Sequence, residues 1–335
     1  MRCNYCEWRC ELNGENYGIC HMYWEEGGVI KERFPNRWCA YSMSSIESIP
    51  FYHVYPGSRC MTIGTAGCNM DCRYCANAYV AKENPAKLQA QMYEFTPGQL
   101  VRMAEKLGCH NIVFNVNEPT VSLPSLQEMA LAAKTAGITM GCLTNAYMTE
   151  AATEIFASVF SFINISLKGL APDFCRSYLG IPDSRPILRN IARLAATNHV
   201  EVTTPVIQSV NDHELDEIAS FLAGVDREIP WHVFRLLPEH KMKGTTYPNV
   251  GDINTILERN RKILPYIYFH NFIGSDWVNT LCPRCGREVV ERISLGCGGD
   301  RLNHCHCREN MCPECGYEIR MYGSRVYWNS REGAL

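Results

Sequence analysis

Cys68, Cys72 and Cys75 stand in the run Cys-Asn-Met-Asp-Cys-Arg-Tyr-Cys, directly after an apolar segment with strand character. A cubane iron–sulfur cluster normally takes four thiolates. A short loop that offers three leaves one iron without a protein ligand, and an open metal position can hold a substrate or cofactor. Gly64 and Gly67 come just before, and glycine lets the chain bend tightly where side chains would collide with a cluster. The spacing C-x3-C-x2-C also fits part of a structural zinc site, and the chain has many other cysteines.

Those other cysteines fall into groups. Cys3, Cys6, Cys10 and Cys20 form C-x2-C-x3-C-x9-C, enough to close a tetrahedral site. Zinc and a second iron–sulfur cluster both fit, spacing does not separate them, and zinc is the simpler assignment. Cys282-Pro-Arg-Cys285-Gly and Cys312-Pro-Glu-Cys315-Gly are two zinc-knuckle turns that together predict a zinc-ribbon-like Zn2+ site. Between them Cys297, Cys305 and Cys307, with His304 and His306, offer a further metal site; a thiol-rich loop without metal is the alternative. Cys39, Cys60, Cys109, Cys142 and Cys175 sit in mostly apolar contexts and read as core or spare thiols.

Nineteen cysteines in 335 residues, an odd count with most in C-x2-C or C-x3-C pairs, indicate metal in a reducing compartment rather than disulfides. The expectation is a cytoplasmic protein of an anaerobic or oxygen-avoiding cell. The N-terminus lacks the apolar core of a secretion signal, and no stretch of about 18 uncharged apolar residues is present to span a membrane. A net charge of −3 without a long basic run argues against non-specific nucleic-acid binding. A small molecule, a peptide or a protein is the expected substrate. With 46 % hydrophobic and 20 % charged residues, a large buried core is expected and disorder is not.

Three segments position these groups. Residues 1–58 form a Cys-rich N-terminal module. Residues 59–272 alternate strand and helix patterns, and residues 273–335 return to Cys, Gly and His before a polar tail. Strands are expected at 60–63, 111–116, 138–143, 162–167, 200–207 and 231–237, with a further apolar run at 266–269. Helices are expected at 97–107, where Thr96 and Pro97 mark a start, and at 124–134, 149–158, 186–196 and 212–223. Strand–helix repeats of this kind predict an α/β fold, a partial (β/α)6 barrel with its chemistry at the C-terminal strand ends. The cysteine loop, Asn117-Glu118, Thr144-Asn145 and Lys168 follow the first four strands in turn.

The string from Pro56 to Asn77 resembles the pyruvate-formate-lyase-activating-enzyme-like branch of the radical S-adenosylmethionine (SAM) superfamily, and within it the AmmeMemoRadiSam-system radical SAM proteins. Asn-Glu-Pro-Thr at 117–120, Leu-Thr-Asn-Ala-Tyr at 143–147, Asn-Ile-Ser-Leu-Lys at 164–168, Val-Glu-Val-Thr-Thr-Pro-Val-Ile at 200–207, Pro-Trp-His-Val-Phe-Arg at 230–235 and Cys-Pro-Arg-Cys-Gly at 282–286 match in order. The likeness covers nearly the whole chain.

The resemblance implies a [4Fe-4S] cluster on Cys68, Cys72 and Cys75 whose open iron chelates the amino and carboxylate groups of SAM. An electron from such a cluster cleaves SAM to methionine and a 5'-deoxyadenosyl radical, which abstracts hydrogen from a substrate. A reductant such as flavodoxin or ferredoxin is implied as partner. Asn117 and Glu118 fall where relatives bind the methionine amino group. An ammonium seeks a charged or carbonyl acceptor at short range, although an Asn-Glu pair can also simply cap a helix. Lys168 matches the lysine of a family Asp-Leu-Lys element, but Ser166 replaces its aspartate, which puts that acidic role in doubt. His232 and Arg235, three apart on a strand, face opposite ways; family position favours His232 near the adenosyl group, a buried structural histidine being the alternative. Tyr74, Thr144 and Asn145 are expected adenine or ribose neighbours. Two further functions stay open: an activating enzyme that makes a glycyl radical on a partner protein, and a non-catalytic iron–sulfur or zinc protein for electron transfer or interaction.

Overall fold

The protein is described by a computed structural model covering residues 1–327; the end of the expected polar tail, residues 328–335, lies outside the described residues. An eight-stranded sheet forms its centre. An edge strand β1 (Ala40–Ser45) pairs antiparallel with β2 (Arg59–Gly64). From β2 the sheet runs in parallel register through β3 (Asn111–Phe114), β4 (Thr139–Thr144), β5 (Phe162–Ser166), β6 (His199–Val206), β7 (Trp231–Arg235) and β8 (Ile267–His270). Strands β1 and β8 stand at its two ends, as an open partial barrel requires.

The crossovers are α1 (Pro97–Lys106), α2 (Leu123–Thr135), α3 (Glu150–Val159), α4 (Arg185–Ala195), α5 (Leu215–Asp226) and α6 (Val250–Asn260). Helix α1 opens on a reciprocal capping box between Thr96 and Gln99, with Pro97 where no amide partner is needed. Leu100, Val101 and Ala104 of α1 and Ile187, Ile191 and Leu194 of α4 bury single helical stripes against the sheet. The strands are covered on both faces, so β3 reads Asn-Ile-Val-Phe with all four residues buried. Helix α6, absent from the expected set, begins at Asn249, whose side chain accepts from the amides of Gly251 and Asp252. Strand β1 was not expected either. Its Ala-Tyr-Ser-Met-Ser-Ser run is half exposed, and it lies within residues 1–58 yet joins the central sheet.

A second, three-stranded antiparallel sheet follows: β9 (Thr280–Leu281), β10 (Glu288–Ser294) and β11 (Asp300–Cys305). It meets the floor of the barrel through a buried polar network. Glu201 on β6 accepts from the amides of Tyr52 (3.0 Å) and His53 (2.9 Å), from His199 Nε2 (3.1 Å) and from His232 Nε2 (2.6 Å). His232 Nδ1 lies 3.1 Å from His270 Nε2, and His270 Nδ1 lies 2.7 Å from Asp300 Oδ2 on β11. Arg292 on β10 donates to the carbonyls of Val278 and Tyr52 and stacks 4.0 Å over the Tyr52 ring. His232 therefore belongs to this floor and does not line the cavity described below. Phe234, two residues further along β7, packs on His270 and lies on the cavity wall.

Gly141 on β4 has a steric reason: a Cβ there would sit 2.0–2.5 Å from the Phe162 ring. A Gly141→Ala substitution is expected to destabilise the fold by about 1–3 kcal/mol, as overpacking does, read as a lower urea midpoint. The floor predicts a pH effect. Burial holds the pKa of His53 near 3 and that of His232 near 4, below the ordinary 6.5, while four donors keep Glu201 ionised against its own desolvation. Both histidines stay neutral in the fold but take up protons first when unfolded, so their contribution is full above pH 6.5 and is lost as pH falls toward 4. The loss at pH 5 is roughly 2 kcal/mol per histidine. The urea midpoint should drop between pH 7 and pH 5, and drop less in a His53→Gln variant; equal drops would exclude these histidines as the titrating groups.

Candidate functional site

Seven parallel strands point their C-terminal ends the same way, and the loops that follow them enclose a cavity of about 420 Å³. Cys68, Cys72 and Cys75 come to it from the loop after β2. Asn117 and Glu118 come from the loop after β3, Thr144 and Asn145 from the end of β4, Lys168 from just beyond β5, and Thr203 and Arg235 from β6 and β7. Of the residues expected to surround the cofactor, Tyr74, Asn117, Glu118, Thr144, Asn145 and Lys168 line this cavity.

The cysteine loop has no regular secondary structure, so its shape is held by specific bonds. Asn117 works on the segment before it: Oδ1 accepts from the Thr65 amide (2.9 Å), and Nδ2 donates to Thr65 Oγ1 (3.1 Å) and to the carbonyls of Ala66 and Gly67 (both 3.0 Å). Gly67 has φ +80° and packs so closely that a Cβ would lie 2.8 Å from the Cys20 carbonyl. Within the loop, the amides of Asp71 and Arg73 donate to the carbonyls of Leu179 and Tyr178. Trp8 Nε1 donates to the Asn69 carbonyl (2.7 Å), and Asn69 Nδ2 donates to the Tyr147 carbonyl (3.0 Å).

Glu118 is buried, and its two oxygens are unequally used. Oε1 accepts from the Thr120 amide (3.1 Å), the Thr120 hydroxyl and the Thr144 hydroxyl (2.8 Å), whereas Oε2 accepts only from the Asn145 amide (2.8 Å). A carboxylate offers about four acceptor positions shared between its oxygens, so Oε2 keeps capacity for a cation. Burial raises the Glu118 pKa, and these donors oppose the rise. The Asn117 amide nitrogen is spent on the loop, so Glu118 offers the charged acceptor for an ammonium.

Cations flank the thiols. Lys82 donates to the Met70 carbonyl; burial disfavours its charge, but the nearby Cys68, Cys72 and Cys75 outweigh burial and raise its pKa. Burial raises the pKa of all three thiols, with Lys82 lowering each of them and Lys168 lowering Cys72 and Cys75. The Lys168 ammonium lies 5.9 Å from the Tyr74 ring centroid, and the buried Tyr74 hydroxyl has no hydrogen-bond partner among the described residues. Lys82, Asn69 and Arg235 had not been selected from the sequence for this site. The signal for Lys82 was its place one short helix beyond the last cysteine, after Ala78–Ala81.

The other cysteine groups lie elsewhere. Cys282, Cys285, Cys312 and Cys315 converge so that their sulfurs all lie within 4.8 Å of one another, with 3.5 Å between Cys282 and Cys315 and 3.7 Å between Cys285 and Cys312. Cys3, Cys6, Cys10 and Cys20 line one small cavity beside Tyr5 and Tyr23. The set Cys297, Cys305 and Cys307 does not come together. Cys297 is exposed on the turn before β11 and Cys305 ends β11, and an extended strand of that length separates its ends by roughly 15–20 Å.

The chain is 26 % identical over 331 residues, 95 % of each chain, to the uncharacterized protein MJ0808 of Methanocaldococcus jannaschii. Among solved structures it is similar to SuiB of Streptococcus suis (TM-score 0.49, 12 % identity, 64 % of this chain and 49 % of SuiB). It is also similar to a radical SAM methyltransferase from Sphaerobacter thermophilus (TM-score 0.46, 19 % identity, 69 % and 70 % of the two chains). A domain of pyruvate-formate lyase-activating enzyme from Bacteroides vulgatus aligns over 48 % of this chain and 98 % of its own length (TM-score 0.37, 21 % identity). The chain thus spans about half the length of SuiB. Residues 62–222, from β2 through most of α5, match the family model of the Radical SAM superfamily.

Proposed function

We propose that the chain is a radical SAM enzyme of the activating-enzyme-like branch, with SAM held in the 420 Å³ cavity beside Cys68, Cys72 and Cys75. The observation that carries this reading is the meeting of three thiols, the Glu118 carboxylate and two ammonium groups, Lys82 and Lys168, on one cavity at the C-terminal strand ends. The residues fit the cofactors: three thiols leave one corner of a [4Fe-4S] cluster open, Glu118 Oε2 has acceptor capacity, and the Tyr74 hydroxyl is buried without a partner among the described residues. When bound, the cluster and SAM supply a reductive cleavage that yields a 5'-deoxyadenosyl radical able to abstract hydrogen from a substrate.

The chain's own residues bind, orient and protect. Asn117 fixes the segment that delivers Cys68, and the carbonyls of Tyr178 and Leu179 hold the run between Cys68 and Cys75. Glu118 is oriented by Thr120, Thr144 and the Asn145 amide, which place Oε2 for a substrate ammonium. Lys82 and Lys168 offset the negative charge of the thiolates. Phe234, Leu236 and Leu237 supply apolar wall on the far side, where water would otherwise quench a carbon radical. The substrate is read as a small molecule, peptide or protein, and a flavodoxin- or ferredoxin-class protein as the electron donor. The fold places no acidic side chain at Ser166, so the Asp-dependent role of related enzymes is not assigned here.

The test is SAM cleavage under dithionite in anaerobically reconstituted protein. The intact chain is expected to form 5'-deoxyadenosine, and Cys72→Ala to form none above background. Cleavage that survives in Cys72→Ala would overturn the proposal.

A further inference from the structure

The two outlying cysteine sets have the same ligand count but different geometry. One tetrahedral zinc ion with Zn–S bonds of about 2.3 Å brings four sulfurs within roughly 3.8 Å of one another. Cys282, Cys285, Cys312 and Cys315 come near that condition: all four sulfurs lie within 4.8 Å of one another, and two of the separations are 3.5 and 3.7 Å. Among the described residues they are the one group of three or more ligand side chains whose donor atoms all lie within 4.8 Å of one another. No three of Cys3, Cys6, Cys10 and Cys20 are that close, although all four face the same small cavity. The central thiols Cys68, Cys72 and Cys75 share this wider spacing. A cubane carries its irons at separate corners and therefore needs its thiolates further apart than a single ion does.

The N-terminal set also has a defined relation to the central one. Cys6 bridges to Met148 in antiparallel fashion, and Thr149 donates from its hydroxyl to the Asn4 carbonyl (2.7 Å) and from its amide to the Tyr5 carbonyl (3.3 Å). Trp8, two residues beyond Cys6, donates from Nε1 to the Asn69 carbonyl (2.7 Å). Asn69 Oδ1 accepts from Asn145 Nδ2 (2.8 Å), and that Nδ2 lies 3.7 Å from Cys68 Sγ. One asparagine, next in sequence to Cys68 and with Oδ1 3.9 Å from its sulfur, thus links the Cys6 segment to the central cysteine loop.

We propose that Cys3, Cys6, Cys10 and Cys20 hold a second, fully ligated [4Fe-4S] cluster that passes electrons through the Asn69 contact to the cluster site at Cys68, Cys72 and Cys75. Four protein thiolates leave no open iron there, so this cluster binds no substrate and serves electron transfer. A low-potential one-electron donor protein is oxidised, the N-terminal cluster is reduced by one electron, and it is reoxidised as the central cluster gains that electron; no bond is made or broken. This relay rests on the proposed function, whereas the metal assignment does not.

The experiment is an iron, sulfide and zinc count on the full chain reconstituted anaerobically with all three present. About eight irons, about eight sulfides and about one zinc per chain are expected. About four irons with two zincs would overturn the assignment, and this measurement needs no variant to fold. A Cys3→Ser/Cys6→Ser variant should lose half the iron and keep its zinc. It should also lower the ratio of flavodoxin-driven to dithionite-driven 5'-deoxyadenosine formation; an unchanged ratio would overturn the relay. A failure of the central-cluster reading looks different, because a Cys68→Ala/Cys72→Ala/Cys75→Ala variant would then keep all its iron.

Discussion

A loop without helix or strand has to present three thiols in one fixed arrangement, and the Asn117 side chain is the contact on which this most depends. Its amide spans four backbone and side-chain groups of residues 65–67, the segment that leads directly into Cys68. Those groups are buried; Thr65 Oγ1 also bonds Ser122 Oγ (2.8 Å), whereas the Thr65 amide and the two carbonyls rely on the Asn117 amide away from water. The same loop is held from the opposite side by backbone carbonyls after β5. The site is therefore assembled across three strand ends, none of which determines it alone.

Burial gives the cavity its electrostatic character. Desolvation pushes every thiol and Glu118 toward the neutral form, while Lys82, Lys168 and the donors on Glu118 pull the other way. Such opposed terms are typical where charge must be kept in a dry place. The barrel floor solves the same problem differently. There Glu201 is satisfied by two amides and two imidazoles, and the network reaches Asp300 and Arg292. Those contacts join the three-stranded C-terminal sheet to the barrel, so the region of Cys282, Cys285, Cys312 and Cys315 is anchored through polar groups as well as through apolar packing.

The N-terminal region has a comparable attachment at the opposite end. Trp8, Tyr5 and Asn4 bond to the loops that carry Asn69 and Thr149, and Gly67 is pressed against the Cys20 carbonyl. Shielding of the central cysteine loop is thus shared between the barrel and the Cys-rich segment that precedes it in sequence.

Much was legible from sequence alone. The cysteine spacing marked the loop that the fold brings to the cavity, and alternating apolar strands and amphipathic helices indicated the order of the parallel units, because buried parallel strands need continuous apolar runs and their crossovers need one apolar stripe. The tertiary structure decided what spacing leaves open. Strand β1 escaped notice because an edge strand buries only part of its surface, and its half-exposed Ala-Tyr-Ser-Met-Ser-Ser run carries no strong pattern. His232 lies on an inward-facing strand position, but depth along the strand, not facing, sets whether it meets the cavity or the floor. Asn117 lines the cavity as expected and also holds the loop, a role that depends on which groups the fold of residues 65–67 brings within hydrogen-bond reach. Two tetracysteine sets with equal ligand counts differ in sulfur separation, a quantity that exists only once the chain is folded.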